Sequence, residues 1–378
     1  MVSEQFKFHN PVKIISGCGV YLDELQEIFR RRPCRIGLCY GQQSMQANGV
    51  IQTIEKALPH CQIVHIGGIA PNPTLDDLTN AVNSTSANID WIIAIGGGSV
   101  LDLGKGLAFM MKQKAPLEQA VLNENFTGAE ASIPLIAIPT TSGSGSEATP
   151  WATFWDSKNK RKHSLSHNNM FAHYAIIDTE LTFSLPPLQT AICGFDALAH
   201  AFEAFWSKNA NPISDTYAIE AIHLIMENLV RAIQEPLNAA GRAAMARASL
   251  FAGLAFSNTK TAAVHAVSYP FTLHFDIPHG LACQLILAEF WRFNRPYIPV
   301  GKIGRLERTL GIDADDLFRK IKELAVDSDL PATLKSANIP QSGIATIIQD
   351  GFEPTRVLNN PRKLTHDDLK ELLERIEK

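Results

Sequence analysis

At 378 residues the chain is longer than one hydrophobic core usually supports, so two domains are expected. Hydrophobic residues make up 46% and charged residues 19%, an ordinary soluble composition, and a formal net charge of −4 gives no reason to expect nucleic acid or an anionic membrane as partner. The N-terminus lacks a charged-then-apolar leader pattern, and no apolar run approaches the roughly 18 residues of a membrane span, so a cytoplasmic location is expected.

The first half alternates short apolar runs with helical patterns. Residues 35–40, 62–66, 91–95 and 134–138 read as buried strands, and 49–58 and 75–88 carry helix-like periodicity. Strands alternating with helices imply an α/β domain with a mainly parallel sheet covered on both faces. Such a sheet binds nucleotides at the carboxyl ends of its strands. From residue 185 the pattern changes. Alanine- and leucine-rich segments at 191–206, 214–233 and 239–256 have helical periodicity, and strand signals nearly vanish. The expected division is therefore 1–184 as an α/β domain and 185–378 as an all-helical domain, with 364–378 a solvated terminal helix. The six cysteines (Cys18, Cys34, Cys39, Cys61, Cys193, Cys283) show no zinc-ribbon spacing and read as reduced, mostly buried thiols. Cys193, three residues before Asp196, could lie near a metal.

Two polar loops follow strands. Gly96, Gly97, Gly98 and Ser99 come after the 91–95 strand and open a helix. Three successive glycines let backbone approach a bulky anion, and the helix N-terminus offers free N–H groups to a pyrophosphate. The spacing is not the Rossmann fingerprint. Asp102, three residues after Ser99, reads either as a capping-box partner or as a ligand contact. The second loop, Pro139-Thr140-Thr141-Ser142-Gly143-Ser144-Gly145-Ser146-Glu147, fits the same crevice or a flexible turn.

Asp196 and His200 are four residues apart on an apolar helix and share a face. With His265 and His279 they make one carboxylate and three imidazoles, a donor set suited to Fe²⁺ or Zn²⁺. Closer to His265, Lys260 stands between Thr259 and Thr261. A buried lysine needs a partner. Either a nearby carboxylate pairs with it, or it receives an anionic substrate with Thr259, Thr261, Ser268 and Tyr269 as donors.

These motifs together resemble the iron-containing (group III) alcohol dehydrogenase family nearly end to end. The carrying residues are Asn72-Pro73-Thr74, Gly96-Gly97-Gly98-Ser99 with Asp102 and Lys105, Pro139-Thr140-Thr141 through Glu147, Lys162, Asp196/His200, His265 and His279-Gly280. The resemblance implies a dehydroquinate synthase-like nicotinamide-binding domain, a helical metal-binding domain and a cleft between them. It implies a dinucleotide site at Asn72, Gly98, Ser99, Asp102, Thr140, Thr141, Ser144 and Lys162. It implies a metal on Asp196, His200, His265 and His279, and often a homodimer. Many NAD-selective members carry an acid after the first strand; here Cys39-Tyr40-Gly41-Gln42-Gln43 has none, so NADP as well as NAD is permitted. Where members commonly have a histidine four residues after the third ligand, this chain has Tyr269, a candidate for proton relay.

The pattern Asn-Thr-Lys-Thr, His-Ala-Val-Ser-Tyr-Pro and Pro-His-Gly is similar to the phosphonoacetaldehyde reductase branch, which implies reduction of phosphonoacetaldehyde to 2-hydroxyethylphosphonate. The expected reaction is reversible hydride transfer between NAD(P)H and a small aldehyde or alcohol, with the metal as Lewis acid. Two alternatives remain open at this point: a metal- and NAD-using lyase of the dehydroquinate synthase type, and a non-catalytic nucleotide-binding relative.

Overall fold

A computed structural model describes residues 5–30, 33–85, 88–113, 131–156 and 159–377. The chain divides into two compact units. One consists of the described parts of Asn10–Thr141 and Ser146–Ser184. The other runs from Leu185 onward and takes in Ser142–Gly145 and the segment ending at His9.

In the first unit, β1 (Lys13–Gly17), α1 (Tyr21–Ile28), β2 (Arg35–Gly41), α2 (Ser44–Ala47), α3 (Val50–Ala57), β3 (Gln62–Ile69), α4 (Leu75–Ser84), β4 (Trp91–Gly96), α5 (Gly98–Met110) and β5 (Leu135–Pro139) follow one another. An antiparallel hairpin of β6 (Trp151–Asp156) and β7 (Arg161–Ser166) precedes β8 (Tyr174–Asp178). Six strands form one sheet in the order β1-β8-β5-β4-β2-β3, and every pair is parallel. This is the mainly parallel α/β architecture that the alternating pattern predicts. Central strands read as continuous apolar runs because both faces are covered: Ile92, Ile93, Ala94 and Ile95 of β4 are wholly buried. Each such isoleucine contributes about 1.5–3 kcal/mol, so a charged residue at Ile93 would break the sheet at its centre.

The order places a switch point between β2 and β4. The chain leaves β2 toward β3 on one side and leaves β4 toward β5 on the other. The glycine turn after β4 stands at that point, where open α/β sheets bind ligands. The hairpin, the edge strand β1 and its neighbour β8 carry no clear strand signal in the sequence. β1 carries no alternation that a half-buried strand would show, since its neighbour is supplied by Tyr174–Asp178, far along the chain.

The second unit is helical throughout: α6 (Pro187–Trp206), α7 (Pro212–Gln234), α8 (Ala239–Thr259), α9 (Ala263–Phe275) and α10 (His279–Asn294), then α11 (Val300–Leu310), α12 (Ala314–Asp327), α13 (Gly343–Asp350), α14 (Pro354–Val357) and α15 (His366–Arg375). Proline opens α6, where its missing N–H costs nothing. Asn211 caps α7 with a reciprocal Ser214 contact, and Asn238 caps α8. Buried Arg242 ties α8 to the start of α6 through Thr190 Oγ1 at 2.7 Å and the Leu185 carbonyl at 3.0 Å. Among the described residues no helix is long and apolar enough to cross a membrane.

Candidate active site

In the α/β unit, β4 ends at Gly96 and α5 starts at Gly98, leaving the first N–H groups of a 13-residue helix without intrahelical acceptors. Gly97 is the N-cap and brings no capping side chain. A Cβ there would meet the Thr141 side chain at 3.3 Å, and one on Gly96 would meet Val100 at 2.6 Å. The turn is thus bare backbone at a positive helix end, which fits the pyrophosphate of a dinucleotide. Asn72, with φ +56°, donates its backbone N–H to Ser99 Oγ at 3.1 Å, and Thr140 donates to the Gly96 carbonyl at 3.0 Å. Asn72, Gly96, Gly97, Gly98, Ser99, Thr140 and Thr141 therefore collect at one end of β4 and β5. The hairpin sits beside them, because the Trp155 N–H donates to the Pro73 carbonyl at 2.9 Å. Lys162 on that hairpin lies 5.5 Å from the Trp155 ring centroid. Beyond β2, Gln42 and Gln43 are exposed, with no carboxylate in the segment 39–43.

Asp102 does not cap α5. Its Oδ1 accepts from Ser146 Oγ at 2.5 Å and its Oδ2 from the Thr153 N–H at 2.8 Å, so the carboxylate ties α5 to the following loop and to β6. Lys105, wholly buried, joins it at 3.2 Å and also donates to the Ser146 and Trp151 carbonyls. Burial alone pushes the Lys105 pKa down, against the pull of Asp102 and Glu147. Burial likewise pushes the Glu147 carboxyl up to about 7 despite Lys105. Ser144 lies in Ser142–Gly145, which groups with the helical unit. A Cβ on Gly143 would strike Cys193 at 2.9 Å, and one on Gly145 would strike the Gly253 Cα at 2.6 Å.

In the helical unit, α6 supplies Asp196 and His200, α9 supplies His265, and His279 is the first residue of α10. Gly280 permits this approach, since a Cβ there would stand 2.1 Å from the Ile192 carbonyl oxygen of α6. Asp196 Oδ1 lies 4.0 Å from His200 Nδ1, 3.6 Å from His265 Nε2 and 3.7 Å from His279 Nε2. These separations are too long for hydrogen bonds and close to the roughly 3.4 Å between two donors on one tetrahedral ion. Asp196 Oδ1 and His265 Nε2 are buried with no hydrogen-bond partner among the described residues. Each such atom costs about 1–3 kcal/mol, which a shared divalent cation offsets. The donor set fits the metal. Burial would raise the Asp196 pKa, but the three imidazoles outweigh it and hold the carboxyl well below its usual range.

Cys283, buried one turn after His279, completes a group with Asp196, His265 and His279 whose donor atoms lie within 4.8 Å of one another. The thiol near the cluster is therefore Cys283. His200 flanks the group, its ring stacked between Phe256 at 4.1 Å and His265 at 4.3 Å.

Glu203 is wholly buried on α6 and takes four donors: the N–H groups of Ala262 (2.8 Å), Val264 (2.5 Å) and His265 (3.2 Å), and His265 Nδ1 at 2.6 Å. It caps the start of α9, which has no cap of its own. An ionised carboxylate only accepts, so Nδ1 carries the proton and the Nε2 lone pair faces Asp196.

Beside the cluster, Ser268 Oγ donates to the His265 carbonyl at 2.8 Å and lies 3.4 Å from His279 Nδ1. It serves the histidines. The Tyr269 ring stacks on His279 with centroids 5.8 Å apart. Burial raises the Tyr269 pKa, against the opposing charge of Arg356, so its hydroxyl keeps its proton. Lys260 departs from the expected burial. It is exposed, at the C-cap of α8 with φ +61°, and makes no side-chain ion pair among the described residues. A partly buried cation of this region is Arg356 on α14, whose Nε donates to Thr261 Oγ1 at 3.2 Å and whose Nη1 meets Glu353 Oε2 at 3.0 Å. Its guanidinium lies 5.2 Å from the Tyr269 ring centroid.

Comparison with known proteins gives two family profiles that cover most of the chain. "Iron-containing alcohol dehydrogenase" matches residues 11–179, and "Fe-containing alcohol dehydrogenase family, C-terminal" matches 190–376. The chain belongs to the iron-containing alcohol dehydrogenase family. It is an oxidoreductase of that type. Sulfoacetaldehyde reductase from Bilophila wadsworthia is 31% identical over 98% of both chains. NADPH-dependent butanol dehydrogenase from Clostridium saccharobutylicum is 28% identical over 97% of both. Among solved structures, sulfoacetaldehyde reductase from Bifidobacterium kashiwanohense in complex with NAD⁺ superposes with a TM-score of 0.89 at 31% identity, over 98% of each chain. Membership leaves no place for the lyase reading.

Three residues of this dehydrogenase escaped the sequence. Glu203 follows Asp196 by seven positions on an otherwise apolar helix, a same-face spacing that signals a buried carboxylate with a task. Cys283 follows His279 by four. Arg356 gives no local signal, because Thr261 and Tyr269 are nearly a hundred positions away.

Proposed function

We propose that the protein is a metal-dependent, NAD(P)H-linked reductase of a two-carbon aldehyde bearing a tetrahedral oxyanion, sulfonate or phosphonate, and yields the corresponding alcohol. The observation that carries the reading is the convergence of Asp196, His200, His265 and His279 around two orphaned buried atoms. End-to-end similarity to a sulfoacetaldehyde reductase supports the substrate class. When bound, the nicotinamide supplies hydride and an Fe²⁺ or Zn²⁺ ion supplies Lewis acidity toward the aldehyde oxygen.

The chain's own residues do the rest. Asp196 and the three imidazoles would hold the ion, with Glu203 fixing the His265 tautomer. The N–H groups at Gly97–Ser99 would receive the pyrophosphate, and Asn72, Thr140 and Thr141 would border it. Tyr269 keeps its proton and so fits a hydrogen-bond donor better than a general acid.

The test is an aldehyde panel on Fe²⁺- and Zn²⁺-loaded protein with NADH and NADPH. Sulfoacetaldehyde or phosphonoacetaldehyde should exceed propanal in kcat/KM by at least tenfold. Equal rates for propanal and both anionic aldehydes would remove the substrate class and leave the family activity.

A further inference from the structure

Arg356 is linked to the metal cluster through Tyr269. Tyr269 touches both sides: its ring stacks on His279, which faces Asp196, and the Arg356 guanidinium lies against the same ring. A small molecule with its aldehyde oxygen at the cluster and its headgroup at Arg356 would run along Tyr269. The surroundings of Arg356 are built. Thr261 Oγ1 accepts from Nε, and the segment that presents Thr261 is strained, because Lys260 occupies a backbone region with φ +61° that side chains rarely adopt. Asn359 holds the strained segment by donating Nδ2 to the Thr259 carbonyl at 2.8 Å and the Thr261 carbonyl at 3.0 Å. Strain of this kind persists only where surrounding contacts enforce it, and it collects at ligand sites.

The charge count is also informative. Glu353 lies 3.0 Å from Arg356 Nη1, with side chains 31% and 22% exposed, so the guanidinium enters the site partly neutralised. A paired cation suits one negative charge better than two, because a second charge would meet the Glu353 carboxylate without compensation.

Resting on the function proposed above, we infer that Arg356 is the headgroup receptor, with Thr261 orienting it, and that Glu353 sets its preference for a singly charged sulfonate over a doubly charged phosphonate.

The experiment compares kcat/KM for sulfoacetaldehyde, phosphonoacetaldehyde and propanal at a pH where the phosphonate is doubly ionised, with titration of 2-hydroxyethanesulfonate as an independent binding readout. Arg356→Ala should lower the sulfoacetaldehyde-to-propanal ratio at least a hundredfold and abolish measurable 2-hydroxyethanesulfonate binding. Arg356→Lys, which keeps the charge and loses the planar fork, should lower the ratio at least tenfold and decides the matter if the alanine variant does not fold. Glu353→Gln should raise the phosphonate-to-sulfonate ratio at least tenfold. If the wild type favours anionic aldehydes and both Arg356 variants keep its ratio, this inference falls and the proposed function stands. An unchanged phosphonate-to-sulfonate ratio in Glu353→Gln overturns the charge-selection part. A wild type indifferent to substrate charge overturns the proposed function, and this inference with it.

Discussion

Glu203 offers the most direct test of how the metal cluster is held. The carboxylate satisfies three N–H groups at the start of α9 and fixes the His265 ring, all in wholly buried surroundings. Glu203→Ala leaves those donors without acceptors and should cost about 3–5 kcal/mol of stability, as for removing one partner of a buried charged contact. Glu203→Gln is sharper because its shape is conserved. One amide oxygen can still accept from Val264 and His265, but the amide nitrogen must then face His265 Nδ1 and the Ala262 N–H. Nδ1 can accommodate that nitrogen only by giving up its proton, which moves the proton to Nε2 and removes the lone pair aimed at Asp196. Metal affinity should fall about 10–100-fold, the usual effect of losing such an outer carboxylate. Competition with a chromophoric chelator gives the affinity, and circular dichroism with thermal melting separates it from unfolding. A Glu203→Gln protein that folds and binds metal as tightly as the wild type would refute the tautomer argument.

Three further outcomes follow from the geometry. If Asp196 and three histidines hold the ion, His200→Ala should lower Fe²⁺ affinity at least about a hundredfold, while Cys283→Ser stays within about threefold; metal titration showing the reverse would put the thiol in the place of His200. Glu147 should make stability depend on pH. Its folded pKa is about 7 against 4.5 for the free carboxyl, so folding takes up a proton between these values. Its contribution then falls as pH rises through that window, by about 3 kcal/mol at most. Glu147→Gln should therefore gain more melting temperature over wild type at pH 8 than at pH 5, and an equal gain at both would reject the buried carboxyl as the cause. For the cofactor, the absence of a carboxylate at 39–43 should keep NADPH within about a hundredfold of NADH in kcat/KM, roughly 2.7 kcal/mol; a stricter NADH preference in parallel kinetics would mean that another group rejects the 2′-phosphate.

What could be read from the sequence followed how local each signal is. Asp196 and His200 lie one turn apart on one helix, and the glycine turn follows its strand directly, so residue type and spacing sufficed for both. The expected burial of Lys260 fails for a physical reason. Flanking threonines and a nearby ligand suggested burial, but the end of α8 at residue 259 turns the side chain out to solvent. The capping alternative for Asp102 fails because capping geometry depends on where a helix begins, and α5 begins at Gly98 with Gly97 as its cap. Arg356 could not be read at all, since its meaning comes from Thr261 and Tyr269, which folding alone brings to it.

The four residues Ser142–Gly145 lie in sequence within the α/β half yet pack as part of the helical half. The chain is therefore not two beads on a string, and a crossover at residue 184 is not a clean seam for gene recombination. A hybrid taking residues 1–184 from this protein and the remainder from a relative would bring Gly143 and Gly145 against foreign partners in place of Cys193 and Gly253. Descent by domain exchange would have to carry this short loop along with the helices it touches, which ties the inheritance of the two halves together.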